Sequence, residues 1–302
     1  MLNSKAYKIG SNLRNIKLLT NSRALSVTNR SSQQQSPLHK KLSYEFNQHG
    51  DLNMKPSTIG QSLTQMSLDK PNDVAYKFCL TQKSFTFLEL KQRCDELAQN
   101  LLNMGFKKGD NLAVLLPNIP EAVLVTLAAG SIGVTTVLMN PAYQLVEIEF
   151  MLKKTKAKGL FMFENLRTLQ HYDLLCKICP ELVTSQKGEL NSKNLPDLKH
   201  IIMSTLMPSK ETESKLKGIW SFNEIELFNK ASLEVPNIDI DDTFAMLFTS
   251  GSTGFPKAAT MTHNSILNVS RLVHQTTGCS ESFQSICLPI PIFHTVSKQK
   301  HI

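Results

Sequence analysis

The strongest constraint on the fold is a repeated alternation of short apolar segments with segments of helical spacing. Asn111–Leu116, Val134–Met139 and Gly159–Phe163 are apolar runs with the length of buried strands. Pro120–Ala129 and Leu145–Lys154 lie between them and have the length of helices. Strands that alternate with helices in this way indicate βαβ units. We therefore predict an α/β fold with a mainly parallel sheet flanked by helices.

Further elements are expected on both sides of this core. Additional helices are predicted over Thr58–Met66, Leu88–Met104 and Leu166–Cys179. Additional strands are predicted over Val74–Leu80, His200–Ser204 and Phe244–Thr249. Two polar stretches, Thr184–Leu198 and Pro208–Gly218, are predicted to be surface loops. No sharp change in composition divides this part of the chain into separate domains.

One stretch must be tested as a membrane span. Ala122–Met139 has 18 residues without a charge, which is the lower length limit for a transmembrane helix. Gly130 and Gly133 divide it, and its second half is rich in β-branched residues. A buried helix that leads into a buried strand explains both halves, so we predict no transmembrane segment here.

The basic character of the chain is confined to its first residues. The net charge is +8, and residues 1–44 contain eight Lys or Arg residues and no acid. Of the 33 Lys and Arg residues, the other 25 balance the 25 Asp and Glu residues. The body therefore gives no charge-based reason to propose a nucleic-acid partner. A basic, Ser-rich and acid-free leader is typical of a mitochondrial transit peptide, so we expect the protein to be located in the mitochondrial matrix. A disordered tail without a targeting role is the alternative.

The six cysteines do not form a recognisable framework. No secretion signal is present, which argues against disulfides. Cys176 and Cys179 form a lone CxxC, whereas a structural zinc site would need a second pair. We interpret them as two buried thiols one helical turn apart and predict no metal ligand in the chain.

A loop rich in glycine and hydroxyl groups follows the last apolar strand. Two glycines permit close approach of backbone N–H groups to an anion, four hydroxyls add donors, and a lysine adds positive charge. Thr262 is placed to cap a helix over Asn264–Gln275, so the loop is interpreted as a strand-to-helix connection. The spacing matches neither the Walker loop nor the dinucleotide fingerprint. The predicted phosphate-binding residues are Thr249, Ser250, Gly251, Ser252, Thr253, Gly254, Phe255, Pro256 and Lys257.

The segment TSGSTGFPK resembles the signature loop of the adenylate-forming superfamily, which includes acyl-CoA synthetases, aryl-CoA ligases, luciferases and peptide-synthetase adenylation domains. Other stretches resemble landmarks of that family in the same order: Phe85-Thr-Phe-Leu-Glu-Leu, Gly105-Phe-Lys-Lys-Gly-Asp, Leu116-Pro-Asn and Met139-Asn-Pro-Ala-Tyr. The resemblance spans about residues 55–297. Four more stretches are similar to mitochondrial medium-chain fatty acyl-CoA ligases: Asn140-Pro-Ala-Tyr-Gln, Glu149-Phe-Met-Leu-Lys-Lys, Ile178-Cys-Pro-Glu and Asn194-Leu-Pro-Asp-Leu.

The resemblance implies a two-step ligase that uses ATP, Mg²⁺ and coenzyme A to convert a fatty acid to its acyl-CoA. It implies that Thr249–Lys257 stabilises the departing pyrophosphate, and that Phe293 and His294 border the acyl pocket. It assigns no catalytic residue within this sequence, because the lysine that promotes adenylation lies in the C-terminal domain of the family.

Two features depart from the family pattern. Ala258 stands where the family usually has glycine, and the sequence after Thr295 no longer resembles the next motif. We therefore expect residues 45–302 to be an incomplete N-terminal AMP-binding domain with little or no ligase activity alone. A non-catalytic truncated product that retains only the phosphate loop is the alternative. The sequence indicates neither an acyl chain length nor a protein partner.

Overall fold

A computed structural model of the chain describes residues 55–166, 169–205, 217–227, 232–249, 256–276 and 285–294. The predicted leader, residues 1–44, and most of the predicted loop Pro208–Gly218 lie outside the described residues. The domain boundary expected between residues 44 and 45 therefore stays a prediction.

The first described elements form a cover for the main sheet. They are helix α1 (Ile59–Asp69), the antiparallel strands β1 (Val74–Phe78) and β2 (Lys83–Thr86), and helix α2 (Phe87–Asn103). Both helices begin at a capping box, in which a threonine side chain accepts from the third helical N–H. The strand predicted over Val74–Leu80 is confirmed, but it pairs with β2 in a separate two-stranded sheet.

The predicted βαβ core is confirmed. The elements that follow are β3 (Asn111–Leu115), α3 (Pro120–Ser131), β4 (Thr135–Leu138), α4 (Leu145–Thr155), β5 (Gly159–Phe163), β6 (Asn165–Leu166), β7 (Leu169–Gln170), α5 (His171–Ile178), a 3₁₀ turn (Pro180–Thr184), β8 (His200–Ser204), β9 (Trp220–Ser221), α6 (Phe222–Glu226), β10 (Thr243–Thr249), β11 (Lys257–Thr262) and α7 (His263–Thr276). Their bounds follow the predicted ones closely from β3 to β5.

Seven strands form the central sheet in the order β11-β10-β4-β3-β5-β8-β9. Every neighbouring pair is parallel except β10 and β11, which are antiparallel. The fold is thus the predicted α/β class with a mainly parallel sheet. Strands β3, β4, β5 and β8 are buried along almost their whole length, as expected for strands covered on both faces.

The two faces of the sheet carry separate hydrophobic layers. One layer packs α1, α2 and α3 against residues such as Val114 and Phe161. The other packs α4 and α5 against the alternate residues, such as Leu115 and Leu160. Because successive strand side chains point to opposite faces, each strand supplies both layers.

The close approach of α3 to the sheet depends on a glycine. A Cβ at Gly130 would lie 2.6 Å from Cε2 of Phe244, so any larger residue would push α3 away from β10. Within the described ranges, no helix combines the length and the apolar character needed to cross a membrane. The charge-free stretch Ala122–Met139 instead divides into most of α3 and strand β4, as predicted.

Two predictions were partly wrong. The helix predicted over Leu166–Cys179 starts only at His171, because the N–H of His171 donates to the carbonyl of Glu164 and closes the hairpin β6–β7 ahead of it. The loop Thr184–Leu198 is irregular as predicted but is not wholly on the surface. Leu190, Leu195 and Leu198 are buried in the core layer beside α5.

Candidate functional site

The chain leaves the carboxyl ends of β3 and β4 in opposite directions. Strand β3 leads into α3 on one face of the sheet, whereas its neighbour β4 leads into α4 on the opposite face. Adjacent strands whose connections leave in opposite directions form a topological switch point, and open α/β sheets bind their ligands there. This edge of the sheet is therefore the candidate site.

The predicted phosphate loop connects β10 to β11 at this same edge. The register pairs Thr249 with Lys257 and Phe248 with Ala258, and Thr249 Oγ1 lies 3.4 Å from the carbonyl oxygen of Lys257. Strand β10 is the direct neighbour of β4, with Leu247 opposite Leu138. The two ends of the loop are thus fixed beside the switch point.

The expected strand-to-helix connection was wrong at this point. A six-residue strand, Lys257–Thr262, follows the loop, and helix α7 starts only at His263. The strand forms because Lys257–Thr262 can complete an antiparallel ladder with the already placed β10. The predicted cap is confirmed, since the N–H of Ser265 donates to Thr262 Oγ1 at 3.1 Å.

The electrostatics of the described loop ends favour an anion. Lys257 is exposed, and among the described residues it forms no ion pair. Pro256 beside it is half-buried. The central residues, Ser250–Phe255, lie outside the described residues, so their predicted role in phosphate binding stays a prediction. An uncompensated lysine at the start of β11 is the charge that a phosphate ligand needs.

Strand β11 returns the chain to the opposite edge of the sheet, where helix α7 begins. His263 is fully buried, and its Nδ1 accepts the N–H of Ile59 at 3.2 Å, which joins the start of α7 to the start of α1. Burial lowers the pKa of His263 to about 4, and nearby Asp242 only partly offsets this shift. Ile266 of α7 is buried, whereas Val269 is exposed.

The two predicted acyl-pocket residues lie on a segment that crosses the same edge. Phe293 is partly buried against the core layer that contains α3. His294 is exposed, and its N–H donates to the carbonyl of Pro291 at 3.0 Å. The segment is attached to the sheet by the side chain of Asn118, which follows β3. The structure therefore brings Phe293 and the phosphate-loop ends to one edge of the sheet.

Two residues at this edge were missed by sequence reasoning. Asn118 was part of a family landmark, but nothing in the sequence indicated its partners. His171 is buried, with Nδ1 2.6 Å from the carbonyl oxygen of Phe163 and Nε2 2.9 Å from that of Pro141. It ties the end of β5 to the loop after β4. A lone histidine in a segment predicted as continuous helix gave no signal of this.

The two cysteines of the CxxC motif lie in or against the core layer that contains α5. Cys179 is buried and Cys176 is half-buried, and burial raises the pKa of both thiols, which keeps them protonated. Among the described residues, no group of three or more His, Cys, Asp and Glu side chains could hold a metal ion. The prediction of two buried thiols is confirmed for Cys179 and only in part for Cys176.

Comparisons with known proteins agree with this architecture. A family model described as AMP-binding enzyme matches residues 64–299. The chain is 32% identical over 257 residues to the mitochondrial medium-chain acyl-CoA ligase ACSF2 of Mus musculus, covering 82% of this chain and 40% of the relative. It is also 32% identical over 251 residues to the protein of that name in Homo sapiens, covering 80% and 40%.

Solved structures show the same fold. The long-chain-fatty-acid-CoA ligase FadD1 of Archaeoglobus fulgidus superposes with a TM-score of 0.62 at 18% identity, covering 82% of this chain and 44% of that one. The chain thus spans about 40% of the length of the curated relatives it matches.

Proposed function

The chain belongs to the AMP-binding enzyme family, and from that premise we propose that it supplies the ATP phosphate-binding part of an acyl-CoA ligase. The substrates would be a medium-chain fatty acid, ATP and coenzyme A. Relatives named as medium-chain acyl-CoA ligases support this substrate class. The proposal rests above all on one observation, namely that the two ends of the loop between β10 and β11 lie beside the switch point of the sheet.

The first step of the proposed reaction is attack of the fatty acid carboxylate on the α-phosphorus of ATP. A carboxylate oxygen forms the new bond to phosphorus, and the bond to the β-phosphate oxygen breaks, which releases pyrophosphate. Negative charge accumulates on the leaving group, so the site must present positive charge and N–H donors there. Lys257 and the backbone of the loop at the end of β10 would provide them.

The second step transfers the acyl group to coenzyme A. The thiol sulfur attacks the acyl carbon, the thiol proton is lost, and AMP leaves with the electron pair of the broken bond. Mg²⁺ would enter this scheme bound to the phosphates of the ATP substrate, which are its usual ligands in nucleotide sites. When bound, it would neutralise phosphate charge.

A binding experiment tests the assignment of the loop. ATP and pyrophosphate are titrated into the 302-residue chain by calorimetry at low salt. Lys257→Ala should weaken both ligands about ten-fold, in keeping with loss of one charge about 4 Å from a phosphate. Lys77→Ala, which removes an exposed lysine from β1, is the matched control and should change neither affinity. Equal binding by both variants, or none by the wild type, contradicts the proposal.

A second experiment separates the ligase from the non-catalytic alternative. Octanoate-dependent release of pyrophosphate by the 302-residue chain would support complete acid activation by this chain. Binding of ATP without such release would favour the non-catalytic alternative. That alternative is kept because the chain spans about 40% of the length of its curated relatives.

We also propose that the protein acts in mitochondria. The acid-free basic leader of residues 1–44 and the names of the mouse and human relatives support this location. A fluorescent reporter fused to residues 1–44 should enter the mitochondrial matrix. A reporter that stays in the cytosol would rule out a targeting role for the leader.

A further inference from the structure

We propose that Asn118 is a positioning residue that holds the segment carrying Phe293 and His294 in place for the fatty acid. This inference rests on the proposed function, since it assigns the acid side of the same site. Asn118 lies just beyond β3 at the switch point, and the segment it contacts is 172 to 174 residues away in sequence.

The side-chain amide of Asn118 binds the segment in both directions. Its Nδ2 donates to the carbonyl of Ile290 at 3.0 Å, and its Oδ1 accepts the N–H of Ile292 at 2.8 Å. One amide therefore satisfies an acceptor and a donor two residues apart, as a neighbouring strand would. No other side chain of this length offers both groups without a charge.

The amide is attached to a rigid part of the molecule. Asn118 stands between the buried strand β3 and helix α3, whose first residue is Pro120. The N–H of Ile119 donates to the carbonyl of Pro117 at 2.8 Å, which fixes the turn that presents Asn118. Because precise sites are built on rigid elements, the segment takes its position from the sheet through this contact.

The held segment ends at the predicted acyl-pocket residues. Ile292 and Phe293 are partly buried against the core layer that contains α3. The N–H of His294 closes a turn onto Pro291 at 3.0 Å. Loss of the contacts to Ile290 and Ile292 would therefore weaken the attachment of the segment that carries Phe293 and His294. The effect should fall on the fatty acid and not on the phosphates, since the phosphate loop is held separately by the β10–β11 ladder.

The molecule contains a matched control for this contact. Gln99 of α2 donates through Nε2 to the carbonyl of Leu233 at 3.0 Å and accepts the N–H of the same residue at 2.7 Å. It is also an amide that binds a distant segment in both directions. It lies on helix α2, which packs on one face of the sheet, and not at the carboxyl edge.

The experiment compares Asn118→Ala, Asn118→Asp and Gln99→Ala in the 302-residue chain. Calorimetry measures the affinity for α,β-methylene-ATP, which cannot undergo the first step, and then for octanoate in its presence. Hydrogen exchange measures the amide of Ile292. Asn118→Ala should weaken octanoate about ten-fold, which corresponds to about 1.4 kcal/mol and to the loss of two net hydrogen bonds. It should speed exchange at Ile292 about ten-fold and leave nucleotide affinity within about two-fold.

The other variants sharpen the interpretation. Asn118→Asp keeps the acceptor for Ile292 but loses the donor to Ile290, so exchange at Ile292 should stay slow while octanoate affinity falls in part. Gln99→Ala should change neither octanoate nor nucleotide affinity.

Unchanged exchange at Ile292 in Asn118→Ala, or faster exchange with unchanged octanoate affinity, would overturn the positioning role. A wild type that binds the nucleotide but not octanoate overturns it too. A wild type that does not bind the nucleotide contradicts the proposed function instead, and the exchange measurement still decides whether Asn118 holds the segment.

Discussion

The two edges of the central sheet use charge in opposite ways. At the edge where the parallel strands begin, two lysines form ion pairs with aspartates. Nζ of Lys158 lies 2.6 Å from Oδ2 of Asp110, and Nζ of Lys108 lies 2.6 Å from Oδ2 of Asp242. At the edge where they end, Asn118 binds through a neutral amide, and Lys257 has no ion pair among the described residues.

This difference separates stability from binding. At the first edge, the ion pairs Lys158–Asp110 and Lys108–Asp242 neutralise their own charges. At the second edge, Lys257 keeps its charge available, because it has no ion pair among the described residues, and an anion-binding site requires such a charge. Substitutions at the first edge should therefore alter the free energy of unfolding and leave ATP affinity unchanged, and substitutions at Lys257 should do the reverse.

The largest effect expected at the first edge comes from acid. Burial lowers the pKa of both His263 and His200 to about 4, whereas an unfolded histidine titrates near about 6.5. Well above a pH of about 6.5 both histidines are neutral in the folded and in the unfolded chain, so the free energy of unfolding does not depend on them there. As pH falls from about 6.5 to about 4, the unfolded chain takes up protons that the fold excludes, at a cost of about 3 kcal/mol for each histidine.

Urea unfolding between pH 7.5 and pH 4.5 measures this loss. His263→Gln should remove about half of the pH dependence, because its amide oxygen can still accept the N–H of Ile59 without titrating. His274→Gln, at an exposed position of α7, is the control and should leave the dependence intact. A free energy of unfolding that does not change with pH in the wild type would show that the fold does not lower the pKa of these two histidines.

The next largest effect is expected from packing at the start of β5. A Cβ at Gly159 would lie 2.6 Å from Cζ of Phe106 and 2.9 Å from Cδ1 of Leu112. Gly159→Val should therefore lower the free energy of unfolding by about 2–3 kcal/mol. Ala258→Val adds a branched side chain on the exposed strand β11 and should change it by less than about 0.5 kcal/mol. Equal losses in the two variants would abolish the distinction between the edges.

The smallest effect is expected from the half-exposed ion pair between Asp110 and Lys158. Asp110 accepts from Lys158 and also from the N–H of Lys107 at 2.8 Å. Asp110→Asn should cost about 1 kcal/mol of unfolding free energy, and less at high salt. Asp95→Asn, which breaks the more exposed pair with Lys91 on α2, should cost less still. A change in ATP affinity in either variant would show that these charges influence binding at the candidate site.

Much of the fold could be predicted because its core obeys local rules. Strands β3, β4 and β5 are apolar runs bounded by turns, and the helices between them have helical spacing, so both type and order were predicted correctly. The transit-like leader and the central residues of the phosphate loop, Ser250–Phe255, stay predictions, since they lie outside the described residues.

The missed features depend on partners distant in sequence. Lys257–Thr262 is exposed along most of its length and contains two alanines, so its sequence does not favour a strand. It becomes one by pairing with β10. The amide of Asn118 and the imidazole of His171 likewise bind carbonyls brought to them by the fold. Such contacts cannot be predicted from residue types, because a backbone carbonyl of any residue can accept them.

The position of β10 in the sheet also affects the order in which the molecule is built. Residues 111–163 contain three neighbouring parallel strands and can assemble as soon as they are synthesised. Strand β10 must join the far side of β4, and Ala245 pairs there with Thr136 from more than a hundred residues earlier. Non-local parallel pairing is slow to form, so the edge of β4 is open until Thr243–Thr249 arrives. The frame of the phosphate loop is therefore among the last parts to form, and a nascent chain exposes that edge to chaperones and to other chains for the longest time.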